Sequence, residues 1–442
     1  MTIGKYCLFF LLGFCCGFRE NVSAMCIYNR AANAVWVYDY AGLVPCRPRQ
    51  LLRADKMNDW DIVAYNASND TYTVNANLWI GRNNGTDTYF QLGGRENPHE
   101  TLVVNGNLVI YPIVISGENE PKALRSVHRL RIGCPDHPDV RPRLLFDCGA
   151  DGIYSLHAGA YYQGRRMVGG VPASGELHVY NGIISTTDPR YLIGRHLYLY
   201  LDRIVLRNAT ISRVARTIAY GLNAKNSLVE NTVFEDSGNA LSWGAQEMRG
   251  VTFRRLATAV SDSARYPLSA TLTECRFNEN KVNWDLVAGN LYLVDCEINP
   301  PLETNHYASR KDAVFGDRVK VRAEDVPDSV RVVSSRHVVV NVVDGKGQPV
   351  RNARVEAKCE QDDRVRRVAV TGAEGMTPVR GMEGALLLDE WEESAGMIAD
   401  EPVRRDYSYT IEITPYRGKA VHAHTGLLPN KSWEIIEVNL SK

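Results

Sequence analysis

One short pattern recurs six times between residues 179 and 298, and it restricts the possible folds more than any other feature of the sequence. Each copy consists of an apolar residue, any residue, a turn-forming or acidic residue, a small residue, any residue, and finally Ile or Phe. The third positions of the six copies are Asn181, Asn208, Asn231, Gly250, Glu274 and Asp295. Successive copies are therefore 27, 23, 19, 24 and 21 residues apart. A repeat of this length, built from short strand-like pieces, indicates a solenoid.

The spacing within each copy predicts two columns of interior side chains. Residues two apart in a strand share a face, so the fourth and sixth positions point to the same side. The larger column consists of Ile184, Ile211, Phe234, Phe253, Phe277 and Ile298, and the smaller of Gly182, Ala209, Thr232, Val251, Cys275 and Cys296. Because no copy carries a helical stripe of apolar residues, we predict a parallel β-helix. Asn and Gly tolerate a left-handed corner, an explanation that Glu274 and Asp295 fit less well.

Composition and the N-terminus limit the possible partners and compartments. The 442 residues, 45% of them hydrophobic, are enough for two or three domains. Because 51 basic and 51 acidic residues balance, no overall field favours nucleic acid. Residues 1–24 are predicted to be a signal peptide, with Lys5, a short apolar run and the cleavage sequence Val22-Ser23-Ala24. No apolar run is long enough to span a bilayer, so we expect a secreted protein, extracellular or periplasmic, with lipid anchoring at Cys15 or Cys16 as the alternative.

Cysteine spacing argues for structural thiols and against a metal site. Seven cysteines follow the signal peptide: Cys26, Cys46, Cys134, Cys148, Cys275, Cys296 and Cys359. In an oxidising compartment Cys26–Cys46 and Cys134–Cys148 are candidate bridges, and the odd count leaves at least one thiol over. Cys275 and Cys296 share a repeat position and are predicted to stack as small apolar side chains. Because no closely spaced Cys pair with a nearby His is present, we expect no metal and no cofactor.

The chain beyond the signal peptide is predicted to be all-β with three structured regions. Residues 25–100 are interpreted as an N-terminal cap of irregular β structure, with a hairpin formed by 62–65 and 71–74. Residues 101–310 form the β-helix, and the charged run 311–335 is a linker. Residues 336–442 alternate short strands with turns, a pattern typical of a small β-sandwich.

The repeats resemble the right-handed parallel β-helices of the pectin-lyase-like superfamily. The resemblance is carried by the corners at Asn181, Asn208 and Asn231, each followed by an inward Ile or Phe. The last region resembles carboxypeptidase-regulatory-like, or transthyretin-like, β-sandwich domains at Asp344, Gly347, Pro349, Val350, Ala353 and Val355. The first resemblance implies polysaccharide as a partner, since the superfamily includes polysaccharide-cleaving enzymes, epimerases, phage tailspikes and non-catalytic adhesins. The second implies an accessory module. The pectate lyase and polygalacturonase motifs are absent, so no catalytic residue is transferred from those families.

Two carboxylates in one predicted column are the candidate catalytic pair. Asp236 and Glu279 share a register with one coil between them, which places their backbones about 9.6 Å apart by strand spacing. That approaches the roughly 6.5–9.5 Å used by inverting glycosidases. Arg255, between them, would keep one carboxylate ionised. The alternative is an ion ladder, in which Asp236 pairs with Arg255 as Arg207 pairs with Glu230 across neighbouring coils.

Four further residues are candidates for substrate binding. Tyr220 and Trp243 lie twelve residues after Asn208 and Asn231, so outward rings would form a sugar platform, whereas inward rings would fill the core. Asp262 and Arg265 share a longer turn, where the Asp could hold calcium and the Arg could clamp a uronate carboxylate. The structural alternative is a turn-forming Asp beside a solvated Arg.

These observations predict a secreted β-helix protein that binds polysaccharide and is a candidate lyase or glycoside hydrolase. The alternative is a non-catalytic surface, structural or adhesion protein that uses the solenoid as a rigid spacer. Whether the chain is an enzyme, and its oligomeric state, stay open at this point.

Overall fold

The computed structural model describes residues 25–38, 45–81, 88–110, 127–148, 156–158, 174–193, 197–199, 203–215, 217–218, 227–242, 244–262, 268–287, 289–307, 329–362, 364–396, 402–429 and 434–440. The predicted signal peptide at 1–24 and most of the predicted linker at 311–335 lie outside them. The chain forms two compact units, one of Met1–Ser242 with Arg255–Ala257 and the other of Trp243–Arg254 with Thr258–Lys442. No helix among the described residues is both long and apolar enough to cross a membrane.

The first unit consists of short strands and one helix. Its strands are β1 (Met25–Asn29), β2 (Ala34–Tyr38), β3 (Val63–Asn66), β4 (Thr71–Val74), β5 (Asn77–Ile80), β6 (Thr88–Leu92), β7 (Thr101–Val104), β8 (Leu108–Ile110), β9 (Val127–Ile132), β10 (Arg143–Phe146), β11 (Leu156–Ala158), β12 (Ser174–Tyr180), β13 (Ile183–Thr186), β14 (Leu197–Leu199), β15 (Arg203–Arg207), β16 (Thr210–Ser212), β17 (Thr217–Ile218), β18 (Leu228–Glu230), β19 (Val233–Glu235) and β20 (Asn239–Ser242). The helix α1 spans Pro48–Asn58.

The strands of the first unit from β1 to β19 form three sheets that the chain visits in rotation, and β20 belongs to a separate sheet. Sheet A has the order β1-β2-β5-β8-β11-β14-β17, sheet B contains β6-β9-β12-β15-β18, and sheet C contains β3-β4-β7-β10-β13-β16-β19. From β4 onward the chain passes through C, A and B in turn, and each strand pairs in parallel with the strand one turn earlier. The antiparallel pairs are β1 with β2 and the predicted hairpin, β3 with β4. This connectivity fits a parallel β-helix.

The second unit continues with strands β21 (Gly244–Arg249), β22 (Thr252–Arg254), β23 (Thr258–Ser261), β24 (Leu268–Thr273), β25 (Arg276–Asn278), β26 (Val282–Leu286), β27 (Asn290–Val294), β28 (Glu297–Ile298), β29 (His306–Tyr307), β30 (Ser329–Asp344), β31 (Arg354–Cys359), β32 (Arg366–Val370), β33 (Leu386–Gly396), β34 (Val403–Asp406), β35 (Tyr409–Thr414), β36 (Val421–Leu427) and β37 (Glu434–Leu440). The strands from β21 to β29 pair in parallel, again in rotation among three sheets.

The long strand β30 connects two kinds of pairing within the second unit. Residues 331–335 of β30 pair in parallel with β27 and residues 338–344 pair in parallel with β37. The antiparallel partner β33 lies along residues 329–338. It is continuous across position 335, where the sequence predicted the linker to end. An antiparallel sheet of order β32-β31-β35-β36 follows. Val340, Ala357, Leu388 and Ile411 belong to one hydrophobic core that combines β30, β31, β33 and β35.

The interior columns follow the sequence pattern. In the first unit Ile184, Ile211 and Phe234 are at most 2% exposed. In the second, Phe253 and Phe277 are fully buried and their ring centroids lie 5.0 Å apart. The smaller column is buried as well, from Ala209 and Thr232 to Val251, Cys275 and Cys296. Ile298, the last member, is partly exposed.

Every third position of the repeat adopts a left-handed backbone. The φ angles are 57° at Asn181, 51° at Asn208, 47° at Asn231, 64° at Gly250, 55° at Glu274 and 54° at Asp295. Glu274 and Asp295 therefore take the same conformation as the Asn and Gly corners, although a side chain with Cβ costs about 1–2 kcal/mol there. Specific contacts help to hold them, since Glu274 accepts a hydrogen bond from Arg249 at 3.0 Å and Asp295 accepts the backbone N–H of His337 at 2.8 Å.

The sequence analysis misses one helix and names two bridges that are not found. Region 25–100 contains the strands β1 to β6 but also α1, which begins at Pro48, and the N–H of Arg47 donates to Gln50 Oε1 at 2.6 Å. Proline suits a first helical position and this hydrogen bond is half of a capping box, so local signals favour a helix. The bridges Cys26–Cys46 and Cys134–Cys148 do not form among the described residues.

Candidate functional site

The predicted pair of Asp236 and Arg255 is in contact, as an ion pair at a corner of the first unit. Both residues are left-handed, with φ of 51°. Arg255 Nε lies 2.7 Å from Asp236 Oδ1, and Arg255 Nη2 lies 2.9 Å from Oδ2. Arg255 also reaches Glu235 at 3.3 Å, and Arg213 lies 3.7 Å from Asp236. Both oxygens of the candidate catalytic Asp236 therefore face guanidinium groups, the arrangement expected of an ion ladder.

The third member, Glu279, belongs to the second unit, where it is also a left-handed corner with φ of 54°. Its pairing with Asp236 as an acid–base couple stays a prediction. The candidate binding residues Tyr220, Trp243 and Arg265 lie outside the described residues.

Asp262 is buried and linked to neighbouring backbone. Its side chain accepts the N–H of Val287 on Oδ1 at 2.5 Å and the N–H of Leu268 on Oδ2 at 3.2 Å. These contacts join two segments of the second unit through one carboxylate. They match the structural alternative, a turn-holding Asp, better than a calcium ligand. Among the described residues no cluster of three or more His, Cys, Asp and Glu side chains could hold a metal ion.

A different cluster lies on the outer side of sheet B, and the sequence interpretation did not include it. We call it the arginine face; its members are Tyr89 on β6, Arg129 and Arg131 on β9, and Glu176, His178 and Tyr180 on β12. The strands stack in register, so Tyr89 is opposite Arg129, Arg129 opposite Glu176, and Arg131 opposite His178. Alternation explains the composition, because the intervening Phe90, Leu130 and Leu177 point into the core and are at most 1% exposed.

One arginine of this face is neutralised by a carboxylate. Arg129 Nε donates to Glu176 Oε2 at 2.6 Å, and His178 Nε2 lies 3.1 Å from the same oxygen. The His178 contact and the Arg129 hydrogen bond hold the pKa of Glu176 down at about 2. Glu176 is therefore ionised at neutral pH and offsets the charge of Arg129.

Arg131 has no such partner within the described part of the chain. Its Nε is shielded from solvent and has no hydrogen-bond acceptor there. Its guanidinium instead lies over two tyrosine rings, 5.1 Å from the centroid of Tyr89 and 5.8 Å from that of Tyr180. Cation–π contacts hold the side chain in place but do not supply the acceptor that its Nε lacks among the described residues. Within the described residues, Arg131 is therefore a positioned positive charge without a carboxylate partner.

His178 is buried beside this charge, at 4% exposure. Burial lowers the pKa of His178, and the Glu176 contact offsets this only in part, so the imidazole is neutral at pH 7. Its Nε2 faces Glu176 in poor hydrogen-bond alignment, and its Nδ1 has no hydrogen-bond partner in the described residues. Burial also raises the pKa of Tyr89, which keeps that phenol protonated. A neutral imidazole and a protonated phenol beside an arginine can take up and donate protons.

Comparisons with known proteins add little to this geometry. No protein family matches the sequence, and no curated protein matches it. Among solved structures, the periplasmic alginate epimerase AlgG is similar at 8% identity and a TM-score of 0.25, over 70% of this chain and 80% of that chain. A variant of the same enzyme has 10% identity and a TM-score of 0.25 over the same shares. Likenesses this low support no argument about function.

Proposed function

We propose that the chain is a polysaccharide-binding protein and that an acidic polysaccharide binds at the arginine face. The observation that carries the proposal is Arg131, whose charge is fixed by two tyrosine rings and has no carboxylate partner in the described residues. A buried or half-buried charge is costly unless an opposite charge meets it. A sugar carboxylate supplies that charge and fits the planar guanidinium in a bidentate pair.

The surroundings of Arg131 suit a sugar chain. Tyr89 and Tyr180 flank the guanidinium and offer both apolar ring surface and a hydroxyl, which is the mixed character that sugar rings require. The face extends across three stacked strands of sheet B, β6, β9 and β12, so several sugar units can lie across it. Because Glu176 already compensates Arg129, a chain with one carboxylate near Arg131 balances the charge of the face.

The same residues have the parts for a lyase. Arg131 would neutralise a uronate carboxylate, which makes the proton on the adjacent carbon easier to remove. The neutral imidazole of His178 is the candidate base for this proton, and the phenol of Tyr89 is the candidate acid for the departing sugar oxygen. Elimination then breaks the bond between that oxygen and the sugar ring and leaves an unsaturated product.

The proposal includes the architecture and location predicted from the sequence. It takes the parallel sheets as a right-handed β-helix, and residues 336–442 as a carboxypeptidase-regulatory-like β-sandwich that serves as an accessory module. It also takes the protein to be secreted, to the periplasm or the cell exterior. The parallel, rotating strand order of both units supports the first point, and the shared core of β30, β31, β33 and β35 supports the second.

A rigid, non-catalytic spacer is the second candidate, because charges pair across neighbouring coils. Arg207 lies 3.1 Å from Glu230 in the first unit, and Arg276 lies 3.3 Å from Glu297 in the second. Such pairs stabilise each contact by about 0.2–1 kcal/mol and need no ligand. A screen for ultraviolet-absorbing product and new reducing ends separates the candidates. Unsaturated product indicates a lyase, reducing ends alone a hydrolase, and neither favours the spacer.

Binding is tested by calorimetry with oligosaccharides of polygalacturonate, alginate and hyaluronan, with neutral dextran as the uncharged comparison. Arg131→Gln should weaken binding of the acidic ligand by about tenfold or more, because a charged hydrogen bond contributes roughly 1.5–3 kcal/mol. Arg53→Gln is the matched control, since Arg53 is exposed on α1. Unchanged affinity in Arg131→Gln, or equal affinity for dextran, would contradict the proposal.

A further inference from the structure

A cavity in the second unit has the character of a ligand site. It has a volume of about 450 Å³ and is lined by Pro301, Leu302, Glu303, Thr304, Asn305, Tyr307, Glu393 and Pro402. This lies within the roughly 300–1,000 Å³ typical of small-molecule pockets. Proline rings and Leu302 supply apolar surface, and the remaining lining residues supply hydrogen-bonding groups.

The polar wall of the cavity is built around the hydroxyl of Tyr307. Trp284 Nε1 donates to this hydroxyl at 2.5 Å, and the hydroxyl donates to Glu393 Oε2. Burial and the Glu393 charge raise the pKa of Tyr307, so the phenol stays protonated. Because its hydrogen is committed to Glu393 and the indole is fully buried, this wall is rigid and holds the Glu393 carboxylate in a defined position.

Charges around the cavity are already balanced. Glu393 Oε1 lies 3.5 Å from Arg404, and Glu303 lies 3.1 Å from Lys281. An anionic ligand would be repelled by these two carboxylates. A cationic ligand would have to compete with Arg404 and Lys281 for them. An uncharged ligand has neither cost.

The remaining hydrogen-bonding capacity matches hydroxyl groups. Glu393 retains acceptor capacity, since a carboxylate has about four lone-pair sites. Asn305 uses its Oδ1 for the N–H groups of Asn283 and Trp284, at 3.0 and 3.3 Å, which leaves its NH₂ as a donor. Thr304 can both donate and accept. A hydroxyl, which also donates and accepts, satisfies all three.

We propose that this cavity binds a neutral, hydroxyl-rich ring, such as an uncharged sugar or a cyclic polyol, between its apolar lining and the Glu393 carboxylate. The site is independent of the arginine face, because it involves other residues and ligands of different charge. A protein with both sites would contact charged and uncharged sugar units in separate places.

The experiment is saturation-transfer NMR on the full chain at millimolar ligand. Glucose, galactose, xylose and myo-inositol are the neutral probes, and glucuronate and glucosamine are charged relatives of glucose. We expect transfer to at least one neutral ring, with the charged relatives giving weaker signals in the Arg131→Gln variant, where glucuronate cannot use the charge of Arg131. A response to inositol but to no sugar would identify a cyclic polyol as the ligand. No transfer to any neutral ring, or stronger transfer to a charged one in that variant, would overturn the inference.

Two variants locate the binding. Leu302→Trp fills the cavity from its exposed side, since Leu302 is 75% exposed, and should reduce the signal at least tenfold without disturbing the fold. Met382→Trp is the matched control, because Met382 is 61% exposed and does not line the cavity. Glu393→Gln should also weaken binding. Equal signals from Leu302→Trp and the unmodified protein would place the ligand elsewhere, while Arg131→Gln should leave the neutral rings unaffected.

Discussion

Two regions of the first unit carry the same residue types on the outside of the coils but use them differently. At the ion ladder each charge has an opposite neighbour, as in Arg207 with Glu230 at 3.1 Å and Arg255 with Asp236 at 2.7 Å. On the arginine face Arg129 is paired with Glu176, whereas Arg131 lies on tyrosine rings and has no carboxylate partner among the described residues. Under the proposed function, the paired charges serve the fold and Arg131 is the charge that meets the ligand.

Burial separates the two regions as well. Arg207 is 44% exposed, so its pair with Glu230 is screened by water and contributes little. His178 and Glu176 of the arginine face are 5% and 13% exposed as side chains, although they point away from the core. Electrostatic interactions between shielded side chains are stronger than those at an exposed surface. Neighbouring groups therefore shift the pKa of a shielded side chain, as the pKa of about 2 for Glu176 illustrates.

The largest effects should come from the interior, which the two regions have in common. Leu130 lies beneath the arginine face and Leu206 beneath the ladder, and both are almost fully buried. Leu130→Ala and Leu206→Ala should each lower the free energy of unfolding by about 2–5 kcal/mol. Denaturant unfolding followed by circular dichroism measures this. A loss below about 1 kcal/mol in either variant would mean that its strand has a different register.

The next largest effect should separate the regions by chemistry. If the arginine face is a lyase site, His178→Gln removes the base and should slow elimination by about 100-fold or more. His99→Gln is the control, since His99 is exposed elsewhere in the unit. Product formation followed by ultraviolet absorbance is the measurement. Equal rates in His178→Gln and the unmodified protein would remove His178 from the mechanism.

The lowered pKa of His178 also predicts a pH dependence of stability. As the pH falls through about 6.5, His178 becomes protonated in the unfolded chain, whereas in the folded chain it stays neutral until a lower pH. Stability should therefore fall as the pH is lowered from about 7 towards the depressed folded pKa. His178→Gln should lose less stability over this interval than the unmodified protein. Identical pH profiles in urea denaturation would contradict the buried, neutral state.

The sequence was sufficient to predict the repeat, because each coil of a solenoid is formed by residues that are close together in the chain. The buried Ile211, Phe234 and Phe253 and the left-handed Asn208 and Asn231 were all predictable from a six-residue pattern. Glu274 and Asp295 at the same corners show that position in the coil outweighs intrinsic preference. The helix α1 was missed because its signals, Pro48 and Gln50, are short-range and do not follow the repeat.

The arginine face could not be found in the same way. Arg129 meets Glu176 from 47 residues away, whereas the recognised copies are 19 to 27 residues apart. Long insertions between coils break the period, so sequence spacing no longer shows which residues share a column. One signal was present: Val127–Ile132 and Ser174–Tyr180 both alternate apolar residues with Arg, Glu, His or Tyr, as strands with a polar outer side do.

A moderate effect is expected from the acid that neutralises Arg129. Glu176→Gln removes one negative charge, so the arginine face gains one net positive charge. Binding of acidic oligosaccharide should become several-fold tighter at low salt, and the gain should shrink as salt screens it. Glu230→Gln is the comparison, because it removes a ladder carboxylate from the same unit. Weaker binding, or a gain unaffected by salt, would indicate that Glu176 itself contacts the sugar.

The smallest effects should come from the ladder, and they decide between the ladder and the proposed acid–base couple of Asp236 and Glu279. Asn tolerates the left-handed backbone as well as Asp does, and Gln preserves the size of Glu, so Asp236→Asn and Glu279→Gln change charge while keeping the corners. As ladder members they should alter stability by under about 1 kcal/mol and leave turnover near the unmodified value. A loss of about 100-fold in turnover with unchanged stability would instead identify them as the acid and base. The ladder is favoured because both carboxylate oxygens of Asp236 already accept hydrogen bonds from Arg255, at 2.7 and 2.9 Å, which is the bidentate geometry of a structural ion pair.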